Sequence, residues 1–183
     1  MQVHSTFLAG HQVTVRPISA QDTAMEAEFV RKLSLQNKHF RFFGGVKELS
    51  ASEIKRLCTI DGSHSMAFVA TVQEGGREVE IGVCRYSPDA TADIREMAVT
   101  IADEWLHKGV GELLMRHLIN TAKRYGVREL YSLELHDNQM MRELAKELGM
   151  TSLRDPLDAQ QVVYSLVIDY KKPPIEETAR SLR

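Results

Sequence analysis

One segment of the sequence, from Ile94 to Gly111, constrains the fold more than any other. Its first half has the residue pattern of a β-strand, and its second half leads through a short loop to Gly109. Beyond that glycine, apolar side chains recur at helical spacing until Gly126 supplies a C-cap. These side chains are Val110, Leu114, Leu118, Ala122 and Tyr125. A strand that passes directly into an amphipathic helix is typical of a domain in which helices pack on a sheet.

Hydrophobic periodicity and turn residues predict the other elements of the chain. Two β-rich runs, Met66–Val72 and Val79–Tyr86, flank a Gly75-Gly76 turn and indicate a hairpin, with the strand from Ile94 to Ile101 beside it. The remaining predicted elements are a strand at 12–17, a helix from a cap at Ser19 or Asp22 to about Leu33, a helix from Ser50 to about Thr59, a strand at 130–135, a helix from Asn138 to Leu148 and a strand at 162–168. This order predicts a mixed α/β (α+β) fold, with a central mixed sheet of about six or seven strands and helices on both faces.

The length of the chain, 183 residues, suits one domain that folds without a disulfide or a structural metal. We therefore expect a single domain over 1–183, with its core at about 12–170 and a mobile tail at 171–183. Cys58 and Cys84 lie in apolar segments without the spacing of a metal site, so we expect buried free thiols in a reducing compartment. The seven histidines show no zinc-binding spacing, and we expect no metal.

The charge balance bears on the possible partners. The chain has 23 basic and 25 acidic residues, which give a net charge of −2. Such a chain has no overall attraction to nucleic acid or to an anionic lipid surface. No apolar run reaches the roughly 18 residues of a membrane span, and the N-terminus lacks the layout of a signal peptide. We therefore expect a cytoplasmic protein with neither a nucleic-acid nor a membrane partner.

The loop before the predicted helix has the properties of an anion site. The first turn of a helix leaves backbone N–H groups unpaired, and the helix dipole adds a partial positive charge there. Gly109 and Gly111 allow a close approach of the backbone to a phosphate. The segment from Lys108 to Gly111 nevertheless lacks the glycine spacing of the Rossmann and Walker loops. A different phosphate-bearing ligand is therefore expected.

At this loop the chain resembles the GNAT superfamily of N-acetyltransferases, whose loop reads Gln/Arg-x-x-Gly-x-Gly/Ala. The resemblance spans roughly Val13 to Asp169 and is carried by four segments: Glu96–Val99, Trp105–Gly111, Asn138–Met141 and Leu144–Met150. It implies a GNAT fold and acetyl-CoA as cosubstrate, with the pyrophosphate on the loop. The implied cofactor-binding residues are Ala98, Val99 and Thr100 through their strand backbone, the loop residues Leu106, His107, Lys108, Gly109, Val110 and Gly111, and Asn138 near the pantetheine.

Some of these positions have other interpretations. Leu106 stands where the family has Gln or Arg, and Glu112 stands where related loops often carry a basic residue, so both are expected to weaken cofactor binding. His107 and Lys108 either flank the phosphates or are simply solvated. An N-cap role explains Asn138 equally well.

A second, narrower resemblance is to the catalytic domain of bacterial Pat-type protein lysine acetyltransferases. It is carried by Val13–Ile18, Glu28–Arg31, Phe40–Phe43, Lys47–Ser50 and Ile60-Asp61. This resemblance implies a protein lysine as the acceptor amine, with an acyl-CoA synthetase-like protein as a possible partner. The alternatives are a small amine or amino acid as acceptor, and a CoA-binding sensor that has lost catalysis. The oligomeric state is not indicated.

The Pat-like pattern assigns Glu96 the role of general base. A lysine with a pKa of about 10.4 arrives charged and must lose a proton before its nitrogen attacks a thioester. Strand alternation places Glu96, Ala98 and Thr100 on one face. The competing interpretation of Glu96 is a surface carboxylate paired with an arginine such as Arg85.

Other chemical roles are less well indicated. Met140 and Met141 occupy positions where many GNAT enzymes have a tyrosine that protonates the leaving thiolate, so no dedicated acid is expected. Tyr131 and Tyr164 are substitutes, although packing is the favoured role of each. The aromatic run Phe40–Phe43 is expected in the core and not at the substrate site. A covalent intermediate on Cys84 is not expected.

Overall fold

An eight-stranded sheet, in the order β1-β2-β3-β4-β5-β6-β8-β7, forms the centre of the computed structural model, which describes residues 3–43, 49–62, 64–89, 93–154 and 158–168. The strands are β1 (His4–Leu8), β2 (His11–Pro17), β3 (Met66–Glu74), β4 (Arg77–Pro88), β5 (Ile94–Ile101), β6 (Glu129–Leu135), β7 (Thr151–Arg154) and β8 (Gln161–Val167). The α-helices are α1 (Thr23–Lys32), α2 (Leu35–Phe42), α3 (Ala51–Leu57), α4 (Val110–Arg124) and α5 (Gln139–Glu147). The predicted mixed sheet is confirmed. The tail expected at 171–183 lies outside the described residues.

The predicted strand number, six or seven, is too low. The two strands that the sequence pattern missed, β1 and β7, lie at the two edges of the sheet, where most of their side chains are exposed. Exposed edge strands lack the apolar alternation that marks a half-buried strand. β1 joins β2 through a turn at Ala9 and Gly10, whose φ angles are 49° and 83°. Helix α2 was also not predicted, and it becomes important at the site.

Helices cover both faces of the sheet, as predicted. On one face, Met66, Phe68 and Cys84 pack against Leu114 and Leu118 of α4. The opposite face presents the alternate residues of the same strands, which contact α1 and α3; this second cluster includes Ala67, Val69, Val83, Phe29 and Ile54. Because successive strand residues point to opposite faces, β3 and β4 are buried on both sides and form the centre of the molecule.

A charged cluster lies inside the second face, beneath α1. Glu26 is 1% exposed, and one of its carboxyl oxygens lies 3.1 Å from a guanidinium nitrogen of Arg85. Arg85 also donates to the carbonyl of Leu57 at 2.8 Å. Burial, followed by the charge of Glu26, raises the pKa of the neighbouring Glu80 well above its usual range. Glu80 therefore retains its proton in the folded protein at a pH at which an exposed carboxyl is ionised.

Because of Glu80, the free energy of unfolding is expected to fall as the pH rises from about 4.5 through the raised folded-state pKa. The unfolded chain loses this proton first, so the slope approaches about 1.4 kcal/mol per pH unit inside that window. Glu80→Gln should remove this contribution, whereas the exposed control Glu104→Gln should retain it. Urea unfolding between about pH 5 and 8 measures the slope. Equal slopes in the two variants would contradict the assignment.

Candidate active site

A gap between β5 and β6 creates the candidate site. The two strands are parallel but pair only at three positions, Ile94 with Glu129, Arg95 with Leu130, and Glu96 with Tyr131. Beyond Glu96 the remaining five residues of β5 have no partner on that side within the described chain. A cavity of about 310 Å³ lies along this open edge. The sheet therefore provides a groove, with Glu96 at the point where the strands separate.

The cavity brings together almost all of the residues that the sequence predicted for a cofactor and for catalysis. Lys108 is the exception, since it does not line the cavity. The predicted residues that line it are Glu96, Ala98, Val99, Thr100, Leu106, His107, Gly109, Val110, Gly111 and Asn138. Helices α2 and α5 complete the walls.

The open edge of β5 presents a specific set of backbone groups. The N–H of Ala102 donates to the carbonyl of Ile81 at 2.9 Å, and this bond fixes the phase of the β4–β5 ladder. Antiparallel ladders alternate, so the main-chain groups of Ala98 and Thr100 point toward β4 and those of Val99 point into the gap. Val99 is therefore the residue whose backbone suits a ligand amide, whereas Ala98 and Thr100 contribute side chains to the lining.

Thr100, one of the lining residues, also has an unsatisfied polar atom. Its hydroxyl oxygen is buried and has no hydrogen-bond partner within the described residues. Buried hydroxyls normally form a hydrogen bond, so this oxygen is an exception beside the cavity.

The loop that leads into α4 has the backbone shape expected of an anion site. Gly109 caps the helix with a φ of 80°, and His107 has a φ of 56°. Trp105 anchors the loop, because its side chain is buried and its ring lies edge-on to His11 with centroids 5.0 Å apart. The ammonium of Lys108 lies 4.9 Å from the Trp105 ring centroid. The Lys108 ammonium thus contacts Trp105, and Lys108 itself does not line the cavity.

Glu112, which the sequence marked as unfavourable beside a phosphate, has a local counter-charge. Two guanidinium nitrogens of Arg116, one turn later on α4, donate to the same Glu112 oxygen at 2.8 and 2.6 Å. The pair is exposed, so its contribution to stability is small. It nevertheless reduces the negative field at the start of the helix.

Glu96 is exposed at the cavity wall, and its side chain forms no hydrogen bond or ion pair within the part of the chain that the structure describes. The competing interpretation, a surface pair with Arg85, is wrong because Arg85 is bound to Glu26 on α1. Tyr131 lies directly beside Glu96 on β6, and burial together with the charge of Glu96 raises the pKa of Tyr131 to about 12. Glu96 is thus available to accept a proton from a ligand.

Glu134 is a second carboxyl of the cavity, and the sequence analysis missed it. The hydroxyl of Ser132 donates to one of its oxygens at 2.5 Å, and the side-chain amide of Asn138 donates to the other at 3.0 Å. Burial raises the pKa of Glu134 despite these two bonds. Its spacing of four residues before Asn138 was the only signal in the sequence.

Asn138 both caps helix α5 and holds the side chain of Glu134. Its carbonyl oxygen accepts from the N–H of Met141 at 3.1 Å and caps α5, while its amide nitrogen holds Glu134. The predicted N-cap is therefore confirmed, and Asn138 also reaches the cavity wall.

Helix α2 forms the wall opposite the open strand edge. Ser34 donates to Asp103 through both its N–H, at 2.8 Å, and its hydroxyl, at 2.5 Å. Asn37 donates to the carbonyl of Ile101 at 3.1 Å. These bonds hold the helix along β5, so that Phe40 and Arg41 line the cavity.

The prediction that the run Phe40–Phe43 belongs to the core is therefore wrong in part. Phe40 and Phe43 line the cavity, and only Phe42 packs against the core cluster beneath α1. Aromatic spacing alone does not show which side of a short helix faces a cavity.

The cysteines and tyrosines are placed largely as expected. Cys58 and Cys84 are buried free thiols, and burial raises the pKa of Cys84 to about 12. A thiol of this kind is a poor nucleophile at neutral pH. Tyr164 is buried in the core. Met140 and Met141 line the cavity where a tyrosine would otherwise stand.

Two kinds of feature are absent from the described ranges. None of the helices there combines the length and the apolar character that a membrane crossing requires. His, Cys, Asp and Glu side chains form no group of three there that could hold a metal ion.

Comparison with known sequences identifies relatives of this site. The profile of the acetyltransferase (GNAT) family matches residues 33–150. The chain is 42% identical over 159 residues to Acetyltransferase PA5475 of Pseudomonas aeruginosa. The matched region covers 87% of this chain and 86% of that protein. The chain is also 29% identical over 119 residues to Acetyltransferase Pat of Mycolicibacterium smegmatis. This matched region covers 64% of this chain and 35% of that protein.

Solved structures show the same arrangement of strands and helices. The GNAT domain of S. lividans PAT has a TM-score of 0.80 at 25% identity, over 90% of this chain and 96% of that one. The cAMP-binding acyltransferase from Mycobacterium smegmatis has a TM-score of 0.61 at 21% identity, over 98% of this chain and 50% of that one. At such identity the second likeness concerns the fold alone.

Proposed function

Because this chain belongs to the GNAT family of acetyltransferases, we propose that it is an acetyl-CoA-dependent N-acetyltransferase that acts on a primary amine. The observation that carries the proposal is the cavity at the β5–β6 gap, which joins an exposed carboxylate to a glycine-capped helix N-terminus. These are the two ends that such a reaction needs, a proton acceptor and a phosphate site.

The residues of the cavity fit acetyl-CoA. Val99 directs backbone groups into the gap, where they can pair with the amides of an extended pantetheine chain. The N–H groups at the start of α4, beginning with Val110 and Gly111, would hold the pyrophosphate. When bound, acetyl-CoA supplies an acetyl thioester.

The protein residues would then act on the acceptor. Glu96 would remove a proton from the amine, so that the nitrogen carries a lone pair for attack. A carbon–nitrogen bond forms as the carbon–sulfur bond breaks, and the leaving thiolate takes up a proton from solvent or a nearby donor. The backbone N–H of Val99 lies at the edge where it can stabilise the oxygen of the reacting carbonyl.

The acceptor that we propose first is a lysine side chain of a protein, with an acyl-CoA synthetase-like protein as the partner. The likeness to Acetyltransferase Pat and to the GNAT domain of S. lividans PAT supports this choice. A small amine or an amino acid is the second candidate, and an unpartnered cation in the cavity, described below, favours the amino acid, which carries a carboxylate. A CoA-binding sensor without catalysis is the third.

The experiment that tests the proposal measures the release of CoA thiol from acetyl-CoA in the presence of candidate acceptors, with mass spectrometry of the products. Acetyl-lysine on an acyl-CoA synthetase would support the protein acceptor. Acetylation of small amines alone would replace it. Tight acetyl-CoA binding without thiol release from any acceptor would contradict transferase activity and support the sensor.

The pair formed by Glu112 and Arg116 gives a test of the cofactor position. Arg116→Met is expected to weaken acetyl-CoA binding about twofold to fivefold, because it leaves the Glu112 carboxylate uncompensated near the phosphate site. The double variant Glu112→Gln/Arg116→Met should restore the affinity. Calorimetric titration at low and high salt measures both effects. An Arg116→Met affinity equal to that of the unchanged protein at low salt would place the phosphates elsewhere.

A further inference from the structure

Arg41 presents a cation to the cavity without an anionic partner. It is partly buried on α2, and its guanidinium carbon lies 5.2 Å from the centroid of the Phe42 ring. Its side chain forms no hydrogen bond or ion pair within the described ranges of the chain. A guanidinium has five donors, and one that is withdrawn from solvent is normally paired. Its donors therefore indicate a site for an anionic ligand group.

The charges around Arg41 define what that ligand group is. Burial, followed by the charge of Arg85, lowers the pKa of Arg41 to about 10, while Glu26, Glu134 and Glu96 act in the opposite direction. Arg41 therefore remains charged at neutral pH. The cavity that Arg41 faces is also lined by five glutamates, which are Glu96, Glu112, Glu134, Glu143 and Glu147.

Of these carboxyls, only Glu134 and Glu96 act on the charge of Arg41, and they have different capacities to compensate it. Both oxygens of Glu134 already accept hydrogen bonds, and burial raises the pKa of Glu134 toward the neutral form. Glu96 is exposed, and in the proposed reaction it faces the acceptor amine. Around Arg41 the cavity thus offers one cation and one carboxylate without a side-chain partner, Glu96, and these complement a ligand that carries a carboxylate and an ammonium. A lone ammonium would leave Arg41 unpaired.

We propose that Arg41 binds a carboxylate carried by the acceptor, so that the substrate class is an amine with a carboxylate within reach of the reacting nitrogen. This inference rests on the proposed function and narrows it. A carboxylate is favoured because a guanidinium can bind both of its oxygens in the same plane. Two kinds of acceptor carry such a carboxylate: a free amino acid, through its α-carboxylate, and a protein, through an acidic side chain beside the target lysine.

The test compares kcat/KM for acceptors that differ only in the carboxylate. The amino-acid arm pairs L-leucine with 3-methylbutylamine and L-lysine with 1,5-diaminopentane. The peptide arm pairs a blocked Glu-Lys dipeptide with blocked Gln-Lys. The carboxylate member is expected to be about tenfold to a hundredfold better in one arm, and that arm identifies the source.

Variants show whether Arg41 causes the preference. Arg41→Met should bring the ratio within each pair close to one, and Arg41→Lys should retain part of it, because the charge remains but the planar pair of donors is lost. Arg31→Met is the matched control, since Arg31 is an exposed cation on α1 outside the cavity. Unchanged acetyl-CoA binding in each variant confirms that the fold is intact.

Several results would overturn the inference. Equal rates within every pair, or an Arg41→Met variant that slows both members alike, would show that Arg41 does not read a carboxylate of the acceptor. A preference for succinyl-CoA over acetyl-CoA that disappears in Arg41→Met would assign Arg41 to the acyl group instead. The absence of thiol release with every acceptor would contradict the proposed function itself, which distinguishes that failure from the failure of this inference.

Discussion

Replacement of Glu96 by glutamine is expected to leave acetyl-CoA binding intact and to lower turnover by about two to four orders of magnitude. Glutamine keeps the shape of the side chain but cannot accept the proton of the acceptor ammonium. Because the side chain of Glu96 is exposed and makes no hydrogen bond within the described residues, its replacement should not disturb the fold. Thiol release and calorimetric binding, measured on the same preparation, separate chemistry from affinity.

The control for this prediction is Glu134→Gln, which changes the other carboxyl of the cavity. Glu134 accepts hydrogen bonds from Ser132 and Asn138, so its replacement should alter the packing of the α5 cap and lower turnover less than Glu96→Gln does. The reverse order of effects would transfer the role of proton acceptor from Glu96 to Glu134. Equal and small effects would remove both from the mechanism.

Gly109→Val is expected to weaken acetyl-CoA binding at least about tenfold and to lower the free energy of unfolding by about 1–3 kcal/mol. Gly109 has a φ of 80°, a conformation that β-branched residues rarely adopt. A Cβ at this position would lie 3.5 Å from the Leu8 side chain, which is an ordinary contact. The expected effect therefore comes from strain of the backbone that directs the loop, and not from crowding.

Gly111→Ala serves as the matched variant for Gly109→Val. Gly111 lies inside α4, and a Cβ there would approach Leu144 no closer than 3.5 Å. Alanine is also the better helix former, so stability should be maintained or improved. Urea unfolding measures the free energy of unfolding of both variants, and calorimetric titration measures their affinity for acetyl-CoA. Intact cofactor binding in Gly109→Val would show that the phosphate does not lie on this loop.

The sequence predicted the central elements because their residue patterns reflect local rules. Helical spacing and flanking glycines placed α4 at Val110–Arg124, and a capping-box pattern placed α3, where the Ser50 hydroxyl accepts from Glu53 N–H. The same rules failed for β1 and β7, which are stabilised at the sheet edges by pairing with β2 and β8 and not by an apolar face of their own.

The residues of the candidate site likewise fall into those that the sequence predicted and those that it did not. The open strand edge and the glycine loop lie in one continuous segment, so Glu96, Val99 and Gly109 were recognisable from spacing and from the resemblance to a family. Arg41 and Glu134 were not, because each reaches the cavity from a different element of the chain. Their importance comes from burial and from missing or occupied hydrogen-bond partners, which no local pattern records.

The sequence by itself thus determined the strand-loop-helix unit and the residues that line its two ends, since helix capping, strand alternation and glycine conformation act over a few residues. Only the tertiary structure decided the partners of the charges. It bound Arg85 to Glu26, fixed Glu134 through Ser132 and Asn138, and left Arg41 facing the cavity. Electrostatic pairing depends on distance in space and on exclusion of water, and both are set by the packing of the whole chain.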